Sequence, residues 1–361
     1  MRLKLPLTAI IAMLALTACN DQTMNDANDF SDYNIYLAAA LESPTITRAP
    51  YTLTAPTINK PLHADVWAST TPKQFIDGDD DGSTKDGTIA MHTTANFQNA
   101  GPQLLNGLIY SKDNNDNPYD IYFSAMYPEG WTCDAEGKNA TFDFDGWQDV
   151  MFAAQVTGRY GVTPWPTLYF RHLLTWLRIE IKAENNEVAE AWGAVKNIKI
   201  KSNSSVTIDL SKYTNNDLTS TPARLDEILS YDTPKTFNAY AADTENTTFA
   251  AANATGYKLL TDSYHHVAYL LCAPVVAPVT EIKEGTPVEV GEYQITIETE
   301  KRNPITLPVF LRRNESERFS GSTRGYQFTI QLTFKMGDNI TISGIPYDWQ
   351  TGGLGSGNLY E

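Results

Sequence analysis

From Tyr326 to Phe334 the chain places Tyr, Phe, Ile, Leu and Phe at every second position, with Gln327, Thr329, Gln331 and Thr333 between them. That period belongs to a strand with one buried and one wetted face, because successive side chains of an extended backbone point to opposite sides. Gly337, Asp338 and Asn339 follow, and then Ile340, Thr341 and Ile342. Turn residues set between two such runs predict a β-hairpin. A lone hairpin is marginal in water, so the pattern also requires further strands or another layer to cover its apolar face.

The rest of the chain supplies strands rather than long amphipathic helices. Short segments rich in β-branched and aromatic residues, bounded by Gly, Pro, Asn and Asp, predict strands at Ala64 to Ala68, Leu104 to Tyr110, Asp120 to Tyr127, Ala140 to Phe144 and Val150 to Ala154. Pro164, Trp165 and Pro166 interrupt the series, which resumes at Leu168 to Phe170 and Thr175 to Ile181. It continues with Val195 to Ile200, Val206 to Asp209, Tyr264 to Leu271 and Glu292 to Glu298. The class is all-β, in sandwiches or barrels, with a domain boundary placed near Val162. Residues 49–162 and 163–361 are then the two β-sandwich domains. The polar stretch from Leu210 to Asn253 reads as a long crossover or insertion with one helical turn at Leu225 to Leu229.

The N-terminus carries a different signal. Arg2 and Lys4 precede an apolar run from Leu5 to Leu16, which meets Leu16-Thr17-Ala18-Cys19. Charge, apolar length and small residues before a cysteine together predict a lipoprotein signal peptide over residues 1–18. The other reading is an ordinary signal peptide with an incidental cysteine. Lipidation of Cys19 would hold the chain to a membrane, at about 0.8 kcal/mol per buried CH₂. Asn20 to Asp32 is too polar to order itself and reads as a tether. Tyr33, Ile35, Leu37, Ala39 and Leu41 then recur at a period of two. This predicts a strand, with a short helix as the alternative given the alanines.

A length of 361 residues leaves room for two cores. With 27 Lys plus Arg against 43 Asp plus Glu, the net charge of −16 repels phosphate backbones and argues against nucleic acid as a partner. Besides Cys19 there are Cys133 and Cys272, expected in different domains, and their spacing indicates no disulfide. No segment after the signal is apolar for long enough to cross a bilayer, so membrane association is expected through the lipid.

Candidate chemistry is sparse. Asp77, Asp79 and Asp81 with Gly82 have the opening spacing of a calcium loop, but Thr88 stands where the bidentate glutamate belongs. The acidic loop is therefore read as a flexible hairpin tip. Asp113 to Asn117 is weaker still, with Pro118 in place of the glycine. His265 and His266 are adjacent, and neighbours on a strand face opposite ways and do not readily share an ion. Neither a nucleophile elbow nor a phosphate-cradling loop is present, and no carboxylate pair is marked out for glycoside hydrolysis. The expectation is a non-enzyme with no metal and no cofactor.

These features in this order resemble the fimbrillin family, the subunits and accessory proteins of type V pili. The matching residues are the lipobox ending in Cys19, then Thr47-Arg48-Ala49, then Asp149-Val150-Met151-Phe152-Ala153. Leu168-Tyr169-Phe170-Arg171-His172-Leu173-Leu174 follows, and near the end come Tyr326 to Phe334 and Ile345 to Trp349 with Gly352-Gly353. The resemblance implies two tandem transthyretin-like β-sandwiches, with His172 a packed or hydrogen-bonded core histidine. It also implies a precursor anchored in the outer membrane and a role in a cell-surface fimbria. An arginine-specific protease would cut Arg48-Ala49, making residues 19–48 a lipidated tether and propeptide strand. Tyr33 to Leu41 would then leave, opening an edge groove for a donor strand from a neighbouring pilus subunit.

One departure bears on the role. The tail from Gln350 to Glu361 is rich in glycine and lacks an alternating apolar run, which makes it a poor donor. Stalk, tip and anchor positions all stay open. The runner-up is a non-polymerising surface lipoprotein that binds glycans or another host ligand, suggested by the 7 Trp, 19 Tyr and 14 Phe.

Overall fold

This computed structural model describes residues 34–41, 61–71, 90–97, 102–110, 117–163, 165–212, 223–244, 246–275, 293–309, 324–337 and 339–348. Within them the first strands are β1 (Asn34–Leu41), β2 (Leu62–Ser69), β3 (Ala90–Phe97), β4 (Gln103–Ile109), β5 (Asp120–Tyr127), β6 (Thr132–Cys133), β7 (Asn139–Asp143), β8 (Met151–Arg159) and β9 (Thr167–His172). There follow β10 (Thr175–Ala183), β11 (Val195–Asp209), β12 (Leu229–Asn238), β13 (Tyr240–Ala241), β14 (His265–Cys272), β15 (Tyr293–Thr299), β16 (Ile305–Val309), β17 (Tyr326–Phe334) and β18 (Ile340–Asp348). Three short helices interrupt them, α1 (Asn186–Trp192), α2 (Ala223–Ile228) and α3 (Phe249–Ala252).

The hairpin expected near the end is formed by β17 and β18, in continuous antiparallel register from Tyr326 opposite Asp348 to Phe334 opposite Ile340. Phe328, Ile330, Leu332 and Phe334 are buried. The hairpin extends a five-stranded sheet of order β13-β14-β10-β17-β18, which faces a second sheet of order β16-β15-β11-β7-β6 with β12 also paired to β11. Ile179, Ile181, Ile198, Ile200, Ile295 and Leu332 belong to the core between them. Helix α1 closes one end. Asn185 caps it by accepting from the Val188 amide at 2.9 Å, and Trp192 meets Phe334 edge-on with ring centroids 5.1 Å apart.

The other sheet has seven strands in the order β3-β2-β5-β8-β9-β1-β4. Its end strands β3 and β4 touch, so it curls round a core of its own. Leu62, Ala64, Val66, Ile121, Phe123 and Phe170 lie in that core. The opposite face of the same strands is covered too. Trp67, Met126 and Phe152 point the other way and join the core of the second half. Strand β2 is accordingly buried at seven of its eight positions, which is what double-sided burial does to an alternating pattern.

Strand pairing crosses the division placed near Val162 in both directions. Strand β9, after it, pairs with β8 and β1, while β7, before it, pairs with β11 from Ser205 to Asp209. Cys133 and Cys272, expected in separate domains, consequently serve one core: Cys272 lies in it and Cys133 packs against it. Neither is in a disulfide. Burial pushes the Cys272 thiol up, well beyond its ordinary range.

The polar crossover contains more structure than its composition suggested. Besides α2 it holds β12, whose ten residues are mostly exposed and pair with β11 from Leu229 to Asn238. Pro234, Lys235 and the positive φ of 62° at Thr233 fit a strand that no further described strand extends.

Candidate functional site

Strand β1 is the element that the sequence reading singled out, and it sits inside the seven-stranded sheet. Its neighbours change along its length. Tyr36 and Leu37 stand opposite Leu104 and Gln103 of antiparallel β4. Ala38 to Leu41 align with Thr167 to Phe170 of parallel β9. At the change of partner, the Ala38 amide donates to the Pro166 carbonyl at 3.1 Å. Strand β1 therefore links β4 to the rest of the sheet, with one partner strand beside its first half and another beside its second.

The side chains explain why the strand forms here. Ile35, Leu37 and Ala39 are buried to 1% exposure or less, and all three belong to the same core as Leu105, Leu168 and Phe170. Full burial of a side chain such as Ile or Leu contributes roughly 1.5–3 kcal/mol. Phe170 is held from its far side by Phe97, edge-on at a centroid distance of 6.2 Å. On the outer side Leu104, Ile109 and Tyr169 are about half exposed, at 47%, 54% and 53%. They give the slot an apolar margin.

Behind Pro166, β8 approaches closely through Gly158. A Cβ on Gly158 would lie 2.9 Å from the Phe123 ring and 3.1 Å from the Pro166 ring, and would meet the Tyr110 hydroxyl. Only glycine leaves room for that contact. Tyr110 is buried, donates to the Thr163 carbonyl at 3.3 Å, and has its phenol pushed well up by desolvation.

Two histidine–aspartate pairs lie near the first sheet's second face, one buried and one whose histidine is partly exposed. Asp149 Oδ2 is 2.5 Å from His172 Nδ1, and its other oxygen accepts from the Val150 amide at 2.8 Å. Both residues came from motifs quoted above, and the structure brings them together. Asp65 lies 3.2 Å from His92 Nε2 and accepts from the amides of Gly130 and Trp131 at 2.7 and 2.9 Å. His92 stacks on Trp67 at 4.5 Å. The Asp65 cluster went unnoticed in the sequence because its members come from three separated segments. These pairs fasten the connection from β5 to β6 and the ends of β8 and β9, which is structural work.

His265 and His266 behave differently from each other. His265 lies 3.0 Å from Asp262 in an exposed contact, while His266 stands opposite Glu180 on β10. Its buried Nε2 has no hydrogen-bond partner among the described residues. Burial, with Arg178 nearby, holds its pKa down at about 4. Cys19, Arg48, Ala49, Asp77, Asp79 and Asp81 lie outside the described residues.

No family model matches the chain, and no curated protein matches it. Solved structures do. A candidate cell adhesion protein from Bacteroides uniformis is similar over 88% of this chain and 100% of its own, with a TM-score of 0.50 and 15% identity. A fimbrial protein from Bacteroides vulgatus covers 88% of this chain and 99% of its own, with a TM-score of 0.42 and 13% identity. The fimbrial anchor protein of Porphyromonas gingivalis covers 90% and 98%, with a TM-score of 0.37 and 10% identity. The likeness to the first is one of fold, and it spans both halves of the molecule.

Proposed function

We propose that this chain is a non-catalytic, fimbrillin-like component of a cell-surface pilus, anchored in the outer membrane through lipid on Cys19. Cleavage at Arg48-Ala49 would then allow a strand of another subunit to replace β1. The observation that carries this reading is the placement of β1. It pairs with β4 along its first half and with β9 along its second, and the chain joins it to the other described strands through residues 42–60, where Arg48-Ala49 falls. One cut there would leave a slot held by an unattached strand. Its occupant would be kept by main-chain hydrogen bonds of roughly 0.5–1.5 kcal/mol net each and by its buried side chains. An incoming strand offering the same ladder and more contacts beyond it wins by mass action.

The fold shared with a candidate cell adhesion protein supports the reading. So does the exposed margin of Leu104, Ile109 and Tyr169, which gives a partner apolar surface beside the strand it inserts. The test is limited trypsin digestion of the purified precursor. One dominant cut at Arg48 followed by oligomers is expected. A cut chain that stays monomeric while its exposed aromatics bind a glycan array would instead mark a ligand-binding surface lipoprotein.

A further inference from the structure

Resting on the strand-exchange reading, we infer that the slot selects its donor by side-chain size. It takes large apolar residues where Ile35 and Leu37 stand, and nothing beyond a methyl group where Ala38 and Ala39 stand. The partner is thus a strand of another chain whose apolar alternation opens on bulky residues and narrows to small ones at the positions of Ala38 and Ala39.

Burial along β1 is irregular. A strand covered on one face alternates, but in β1 the three successive residues Leu37, Ala38 and Ala39 are buried, at 1%, 7% and 1% exposure. They fall at the step where the backbone passes from pairing with Gln103 on β4 to pairing with Thr167 on β9. Successive strand residues point to opposite faces, so burial of three in a row means that both faces are covered there and a side chain on either face finds protein. Ala38 is also drawn onto the Pro166 carbonyl at 3.1 Å. Pro166 cannot retreat, since Gly158 already lies against its ring. On the inner face Ala39 is in register with buried Leu168. Phe170 and Phe97, packed edge-on, belong to the same core.

The sign of the effect separates this inference from ordinary strand preference. Alanine is depleted in strands, and a branched or larger apolar residue is favoured on a half-buried pleated surface. At an open position Ala39→Leu would strengthen binding. In this slot it overfills the space and weakens it. A strand that keeps large apolar residues along its whole length, as β17 does, fits where Ile35 and Leu37 stand and fails where Ala38 and Ala39 stand.

The experiment uses the full chain cut at Arg48 with trypsin, and the uncut chain as control. Labelled synthetic peptides covering residues 34–41 are added, and uptake is followed by fluorescence anisotropy and native mass spectrometry. The peptide of natural sequence should exchange into the cut chain. The Ala39→Leu and Ala38→Leu peptides should bind at least about tenfold more weakly, as should Ile35→Ala, whereas Tyr36→Ala should bind within a few-fold of the natural one. If the natural peptide enters and the Ala39→Leu peptide enters equally well, the size rule is overturned and strand exchange stands. If the natural peptide does not enter at all, strand exchange fails and the size rule goes with it.

Discussion

The amide of Ala38 donates to the carbonyl of Pro166 across 3.1 Å, at the step where β1 leaves one neighbour and joins another. This contact ties the first described strand to the segment joining β8 and β9, and so to the middle of the molecule. Anything that weakens β1 should be felt where it meets β4 and β9.

Truncation of β1 measures that dependence. Leu37 is at 1% exposure, and Leu37→Ala should cost about 2–5 kcal/mol through lost burial and the cavity left behind. Tyr36→Ala, at a half-buried position on the other face, should cost well under half of that. Urea denaturation of the two variants checks the ratio.

Gly158 should tolerate no side chain. The room for a Cβ is taken by Phe123 and the Pro166 ring at 2.9 and 3.1 Å, so Gly158→Ala should destabilise by about 1–3 kcal/mol. It should also speed amide exchange at Ala38, because the displaced group is the one bearing the Pro166 carbonyl. Hydrogen exchange read by mass spectrometry reports both effects.

Asp149→Ala should be more damaging than its small change in volume suggests. It leaves His172 Nδ1 and the Val150 amide without the acceptor that each now uses, at roughly 1–3 kcal/mol for a buried group left unsatisfied. Asp149→Asn, which keeps one acceptor, should lose less. Thermal melts of the two variants rank them.

His266 gives the protein an acid-sensitive element. Its pKa falls from the ordinary 6.5 to about 4, chiefly through burial and secondarily through Arg178, with Asp243 opposing. The unfolded chain therefore takes up this proton before the folded one does. Stability is fully present above pH 6.5 and is lost progressively as the pH falls from about 6.5 to about 4. His266→Gln should flatten that part of the curve relative to the parent, as measured by urea denaturation at a series of pH values.

What the sequence made legible was local. The alternation in β17 and the turn after it are properties of adjacent residues, as is the period of two through Ile35, Leu37 and Ala39. Strand β12 was hidden because a polar, exposed strand carries no apolar period, whereas β2 was legible as a strand at Ala64 to Ala68 and only the burial of both its faces was not. The pairings that cross Val162 depend on contacts between segments far apart in the chain, as do the Asp65 and Asp149 clusters. No window of sequence holds both partners. The place of β1 was hidden for the same reason: its period shows that it is a strand, but only β4 and β9 determine where it lies.

The account turns on whether β1 can leave its place while the rest of the fold stays. Ala40 and Tyr169 are register partners in adjacent strands, so Ala40→Cys combined with Tyr169→Cys allows β1 to be stapled to β9 by oxidation. After cleavage at Arg48, native mass spectrometry of the stapled chain with excess labelled peptide 34–41 should show no peptide uptake, and reduction of the staple should restore it. Equal uptake with the staple closed would contradict the account, because the peptide would then be binding somewhere other than the slot that β1 fills.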